Sequence, residues 1–273
     1  MNLKNLFLRA NYKEIIRLGK EHAATLSADE RVFFLAALAF LGHDTDAELE
    51  LKKYGKKLNP DQECVSRFFL AVGYARKGNF AKALPLLIRN LRGSTTKTAS
   101  ATQKFYAFQG VGFFRHLQSR YRLSLKWASL AYEIAYLEDE PLGKILSGDL
   151  KAHGLQATGR FGEAMALFSS VAQQAREQGN KNFADSIEIS LLCLRSRLGL
   201  LEKAEAALAQ KLHSLKIHNT YSKTEILIEL LRLKNLKGRG HDFSALFQKA
   251  IALAEKHGQR RHRVNLLCRK SYF

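Results

Sequence analysis

One pattern recurs along this chain and limits what it can fold into. A small residue sits at a turn, an apolar residue follows two places later, and a small residue comes three after that. The clearest copy runs from Leu70 and Ala71 through Tyr74 and the turn at Gly78 to Phe80, Ala83 and Leu87. Others read Val111-Gly112 with Ser119, Tyr121, Ser124, Ala128 and Ala131; Gly159, Phe161, Ala164 and Phe168; and Gly199, Leu201, Ala204 and Leu208. Weaker copies turn at Ala10 (with Tyr12 and Ile15), at Gly42 (with Ala47 and Leu51) and near Gly240 (with Phe243). The turns fall at 10, 42, 78, 119, 159, 199 and 240, spaced by 32, 36, 41, 40, 40 and 41 residues. A period in this range marks stacked supersecondary units.

Each part of the pattern has a physical use. A small turn residue lets the backbone reverse tightly between two helices. The aromatic or Leu two places on is expected to plug the hairpin, and the small residue after it lets the second helix approach the first. Spacings of three and four keep these residues on one helical face. With only 3 prolines in 273 residues, nothing interrupts long helices, and 46% hydrophobic residues suffice for a core. One hairpin cannot bury its own apolar face, so neighbours must complete it. The expectation is an all-α chain, an α-solenoid of about seven antiparallel hairpins in a single domain over residues 1–273.

The pattern resembles the tetratricopeptide-repeat (TPR) signature, most closely in hairpins three to six, and it extends over nearly the whole chain. Spacings of 40 and 41 exceed the usual 34 and are similar to the longer-helix TPRs of bacterial regulatory proteins. The resemblance implies a concave surface lined by the first helix of each hairpin. Carried over place by place, the groove-facing residues are Phe68, Val72 and Arg76 in hairpin three, and Tyr106, Gln109, Phe113 and His116 in hairpin four. Hairpin five gives Asp149, His153 and Gln156; hairpin six gives Cys193, Ser196 and Arg197; hairpin seven gives Lys234 and Lys237. Such a mixture of aromatic, amide, imidazole and basic groups suits an extended peptide with acidic and apolar side chains. The paired Lys and Asn of the family's chaperone-tail pocket are missing.

Several local features test this reading. Asn79 is the expected N-cap of a helix in which Pro85 removes one donor and introduces a bend. Residues 92–100, Arg-Gly-Ser-Thr-Thr-Lys-Thr-Ala-Ser, read as a linker. Glu138-Asp139-Glu140-Pro141 reads as an acidic turn that complements a helix dipole. Near the end, Lys256 to Arg263 form a basic cluster followed by a new apolar pattern at Val264–Cys268. Two expectations stand for it: a polar-faced capping helix, or continuation into a longer protein.

The sequence offers little for catalysis, and the expectation is no enzyme and no cofactor. It contains no nucleotide-binding glycine loop and no nucleophile elbow. His116, His153 and Cys193 lie on three hairpins without local ligand spacing, so no metal site is expected. Cys64, Cys193 and Cys268 are far apart and odd in number, which suggests reduced thiols in a cytosolic protein.

Charge narrows the partner. The net charge is +19, enough to draw acidic partners over roughly a Debye length. It lies in two blocks: 61–137 holds 12 basic and 3 acidic residues and 201–273 holds 15 and 6, whereas 138–200 holds 7 and 8. A long polyanion needs a continuous basic track, which the middle interrupts. The favoured reading is therefore an interaction scaffold that binds a peptide or helix of a partner protein in its groove, with no membrane association. Two alternatives remain open. One is a nucleic-acid-binding surface carried by Arg115, Arg120, Arg122, Lys126, Arg260, Arg261 and Arg263. The other is the sensory TPR domain of a bacterial transcription regulator.

Overall fold

The computed structural model describes residues 2–9, 11–215, 220–236, 243–256, 262–264 and 266–267. These form fourteen bounded α-helices, with 262–264 and 266–267 also helical, and, among the described residues, no strand. In order they are α1 (Leu3–Leu8), α2 (Tyr12–Glu21), α3 (Ala28–Phe40), α4 (Asp44–Tyr54), α5 (Pro60–Arg76), α6 (Phe80–Ser94), α7 (Ala101–Leu117), α8 (Tyr121–Leu137), α9 (Pro141–Ala157), α10 (Phe161–Glu177), α11 (Lys181–Arg197), α12 (Leu201–Ser214), α13 (Thr220–Leu236) and α14 (Phe243–Lys256). A 3-10 turn, Gly55–Lys57, follows α4. Taken in pairs they are the seven expected hairpins. The expected turns at residues 10 and 240 lie outside the described residues.

A 20-residue module underlies the 40-residue period. Helices α7 to α11 each have 17 residues and start at 101, 121, 141, 161 and 181, and α12 starts at 201. Three residues join each helix to the next, and the middle one is left-handed: Ser119 (φ 59°), Asp139 (47°), Gly159 (83°), Gly179 (72°) and Gly199 (95°). Gly42 and Gly78 repeat this geometry earlier in the chain. The amide after each such residue donates to the carbonyl five residues back. Examples are Arg120 to Arg115 (2.9 Å), Glu140 to Ala135 (3.0 Å), Arg160 to Leu155 (2.9 Å) and Asn180 to Ala175 (2.8 Å). This is the helix-terminating Schellman bond, which satisfies carbonyls that the helix end leaves orphaned. Turns within and between hairpins are thus the same device.

The N-caps follow the sequence. Asn79 accepts from the Lys82 amide (3.3 Å) and Ser100 from that of Gln103 (3.1 Å). Glu140 caps α9 by accepting from the Gly143 amide, and Asp139 pairs with Lys144, so the acidic turn serves a helix N-terminus as expected. Helix α6 continues through Pro85 to Ser94. Arg92, Gly93 and Ser94, expected in the linker, are therefore helical: the apolar face at Leu87 and Leu91 carries the helix on, and only 95–100 are connection.

The chain divides into two compact units, Met1–Ala184 and Asp185–Phe273, with the division inside α11. In the first unit the leading helices of successive hairpins pack on one another, α3 on α5, α5 on α7 and α7 on α9. An aromatic cluster anchors its start. Phe7 meets Phe69 edge-on at 5.4 Å and Phe33 at 5.5 Å, and Phe68 meets Tyr106 at 5.1 Å. The small residues expected at close helix contacts are fully buried, among them Ala83, Ser124, Ala128 and Ala164. The expected aromatic plugs are only half-sunk. Phe80 and Phe161 are each 40% exposed, with Phe80 edge-on to Phe114 at 5.5 Å. They stand at the first position of their helices, where a side chain covers the hairpin end rather than filling it. The second unit has two cores, one with Ile189, Leu208, Ile226 and Leu233, the other with Leu227, Leu231, Phe247 and Ala250.

Candidate functional site

The first unit curves back on itself. A β-carbon at Gly179, in the turn after α10, would lie 3.8 Å from Arg9 Cγ, just after α1. Groups on its inner side are consequently surrounded by protein while still open to solvent. Tyr12 shows this: it is only partly buried, yet desolvation pushes its phenol up to about 12 against the pull of Arg76.

The site is built around Arg76, the last residue of α5. Its guanidinium lies 4.8 Å from the ring centre of Phe40, the last residue of α3. Phe40 is stacked on Tyr12 of α2 at 5.0 Å with ring planes 5° apart. Arg76 also acts electrostatically on Asp149 of α9. On the same side His116 of α7 and His153 of α9 bring their rings to 5.6 Å. His153 rests edge-on against buried Phe168 at 5.0 Å, and its Nε2 is 3.7 Å from Asp149 Oδ1. Five helices, α2, α3, α5, α7 and α9, thus contribute to one surface. It joins a cation on an aromatic platform, an imidazole pair and a carboxylate, with Phe113 of α7 half-buried and Gln156 of α9 likewise.

Other sequence-predicted residues of this unit lie inside the packing. Phe68, Val72, Tyr106 and Gln109 are buried. Phe68 and Tyr106 belong to the aromatic core, and Gln109 donates through Nε2 to the Leu146 carbonyl, tying α7 to α9 (3.0 Å). A leading helix is enclosed by its own partner and by both neighbours, so only a narrow strip of it faces the concavity.

The second unit holds a separate charged group. Glu229 of α13 is 2% exposed and accepts from Ser196 Oγ (2.9 Å) and Arg232 Nε (2.8 Å). Arg197 lies 3.9 Å from its other oxygen and is half-exposed. Ser196 and Cys193 are buried, and burial raises the Cys193 thiol well above its ordinary range. Cys64 is pushed up to about 12 for the same reason, so both are thiols at neutral pH. Arg232 is the thirteenth residue of α13, the place that Phe113, His153 and Cys193 hold in α7, α9 and α11. Lys234, taken for this face from sequence, is half-buried two residues further on. Lys237 lies outside the described residues, as do Arg260, Arg261 and Cys268.

Sequence reasoning missed Tyr12, Phe40, Glu229 and Arg232. Tyr12 reads only as the apolar residue after a weak turn, and Phe40 falls outside the repeat pattern. Counting thirteen residues from each helix start is the signal that finds Arg232. Among the described residues no group of three or more His, Cys, Asp or Glu could hold a metal ion, and no helix is long and apolar enough to cross a membrane.

No protein-family model and no curated protein matches the sequence. Among solved structures, the chain is similar to the crystal structure of NprR in complex with its cognate peptide NprX. The TM-score is 0.73 and the sequence identity 14%, over 99% of this chain and 83% of that one. The likeness shows a TPR-like all-helical fold.

Proposed function

We propose that this protein is a non-catalytic scaffold that binds a linear peptide, or a segment of a partner protein, on the inner face of its leading helices. The observation that carries the reading is the convergence of Arg76, His116, Asp149 and His153 from three stacked leading helices, alongside Tyr12 and Phe40, with half-buried Phe113 three residues before His116 on α7. Apolar and aromatic surface provides affinity, and a few placed polar groups fix register, as in other extended-peptide sites. Arg76 is the group we assign to an acidic residue of the partner. The likeness to NprR, whose structure holds a peptide, supports the same reading. A regulatory role, in which peptide occupancy is the signal, is its natural extension.

Selection of random linear heptapeptides on the full chain tests this. Wild type is expected to enrich a family of related sequences, and the double variant Arg76→Ala, Phe113→Ala to lose them while its melting temperature stays close to wild type. Enrichment unaffected by the double variant refutes the assigned face. Tight duplex DNA or RNA binding at physiological salt, with no peptide enriched, favours the basic surface instead.

A further inference from the structure

The inner face of the first unit carries one carboxylate among its predicted contact residues, Asp149, in a chain of net charge +19. Its surroundings are unusual. The side chain is 26% exposed, so it opens onto the concavity rather than into the core. Among the described residues no donor lies within hydrogen-bonding distance of it. Its nearest cation is His153, whose Nε2 at 3.7 Å is beyond hydrogen-bond length and is charged only when protonated. Arg76 reaches it only electrostatically, with its guanidinium placed over Phe40. Glu50 also lacks a hydrogen bond, but the permanent cation of Arg31 lies 3.6 Å from it, and two other partly buried acids of this unit are paired outright. Glu48 is met by Tyr74 (2.6 Å) and Lys82 (3.2 Å), and Asp61 by Ser100 (2.7 Å) and Gln103 (2.8 Å).

A carboxylate held in a recess without donors is costly to the free protein, because the protein displaces water without replacing its hydrogen bonds. Desolvation accordingly raises the Asp149 pKa, and His153 and Arg76 offset this only in part. Such a group is retained at little benefit to the fold and gains most from a cation that arrives with a ligand.

We infer that Asp149 is the specificity residue for a cationic group of the bound peptide, a Lys or Arg side chain or a free α-ammonium, which completes its hydrogen bonds. This rests on the groove reading and deepens it. Arg76 and Asp149, both on the inner face, then read groups of opposite charge, so the ligand carries a basic group despite the basic character of the chain, and it binds in one direction. His153 orients the carboxylate from one side and leaves the other to the ligand.

The test uses the same heptapeptide selection in two forms, one library with free amino termini and one N-acetylated, on wild type and Asp149→Asn. Wild type should enrich Lys or Arg at a fixed position, or require the free terminus. For the best peptides the affinity should fall about thirtyfold or more in Asp149→Asn. Preference kept in the acetylated library assigns a side chain; preference lost there assigns the α-ammonium. The second readout is the melting temperature, which in Asp149→Asn should equal or exceed that of wild type, whereas loss of a structural carboxylate would lower it. Enriched peptides with no basic preference, a preference unchanged in Asp149→Asn, or a lowered melting temperature overturns the inference and leaves the groove reading standing. A wild-type selection that enriches nothing overturns both.

Discussion

Replacing Gly154 with Ala tests the packing of α8 against α9. A β-carbon there would lie 3.0 Å from Leu125 Cβ, 3.1 Å from Leu125 Cα and 3.2 Å from Leu125 Cδ1. Two of these atoms are fixed by the α8 backbone, so no rotamer change relieves the contact and the helices must separate by a few tenths of an ångström. Overpacking of this kind costs about 1–3 kcal/mol. Ala is favoured over Gly in a helix interior by roughly 1 kcal/mol, so the net loss should be about 1 kcal/mol. For a protein of this size that lowers the melting temperature by about 2–4 °C per kcal/mol. The control is Gly162→Ala in α10, where no atom lies within 4 Å of the new carbon. Propensity acts there without a clash, and stability should rise by about 0.5 kcal/mol. Thermal unfolding followed by circular dichroism measures both. If Gly154→Ala melts at or above wild type, the close α8–α9 approach is wrong.

Two further outcomes are expected. Tyr74 above all, then Lys52 and Lys82, holds the Glu48 carboxyl down at about 2 from its ordinary 4.5. A depressed carboxyl contributes stability that is present above pH 4.5 and lost as pH falls towards 2, so the melting-temperature gap between wild type and Glu48→Gln should be widest above pH 4.5 and shrink below it; a gap independent of pH refutes the pairing. In the second unit, Arg232→Met should destabilise by about 3 kcal/mol by leaving the buried Glu229 carboxylate poorly compensated, and a urea midpoint unchanged from wild type would show that Glu229 does not depend on it.

The local grammar of the fold was legible in the chain itself. Gly78, Gly159 and Gly199 mark turns because a left-handed residue ends each helix, and Ala83, Ala164 and Ala204 mark contacts because only small side chains let two helices meet. These are short-range constraints and leave residue-level traces. The 20-residue module stayed hidden because the turns between hairpins, at Asp139 and Gly179, are followed two places later by Pro141 and Lys181 rather than by the apolar residue of the repeat. Which groove places are open, and which are core, was decided by tertiary structure. Phe68, Tyr106 and Gln109 share helix faces with residues that line the concavity, and burial on several sides erases the periodicity that would separate them. Arg76 meets Phe40, Tyr12 and Asp149 across 36, 64 and 73 residues of sequence. No local pattern encodes that meeting: it follows from the stacking of α3, α5, α7 and α9 and from the curvature that brings Arg9 to Gly179, which is the sum of many small interhelical angles.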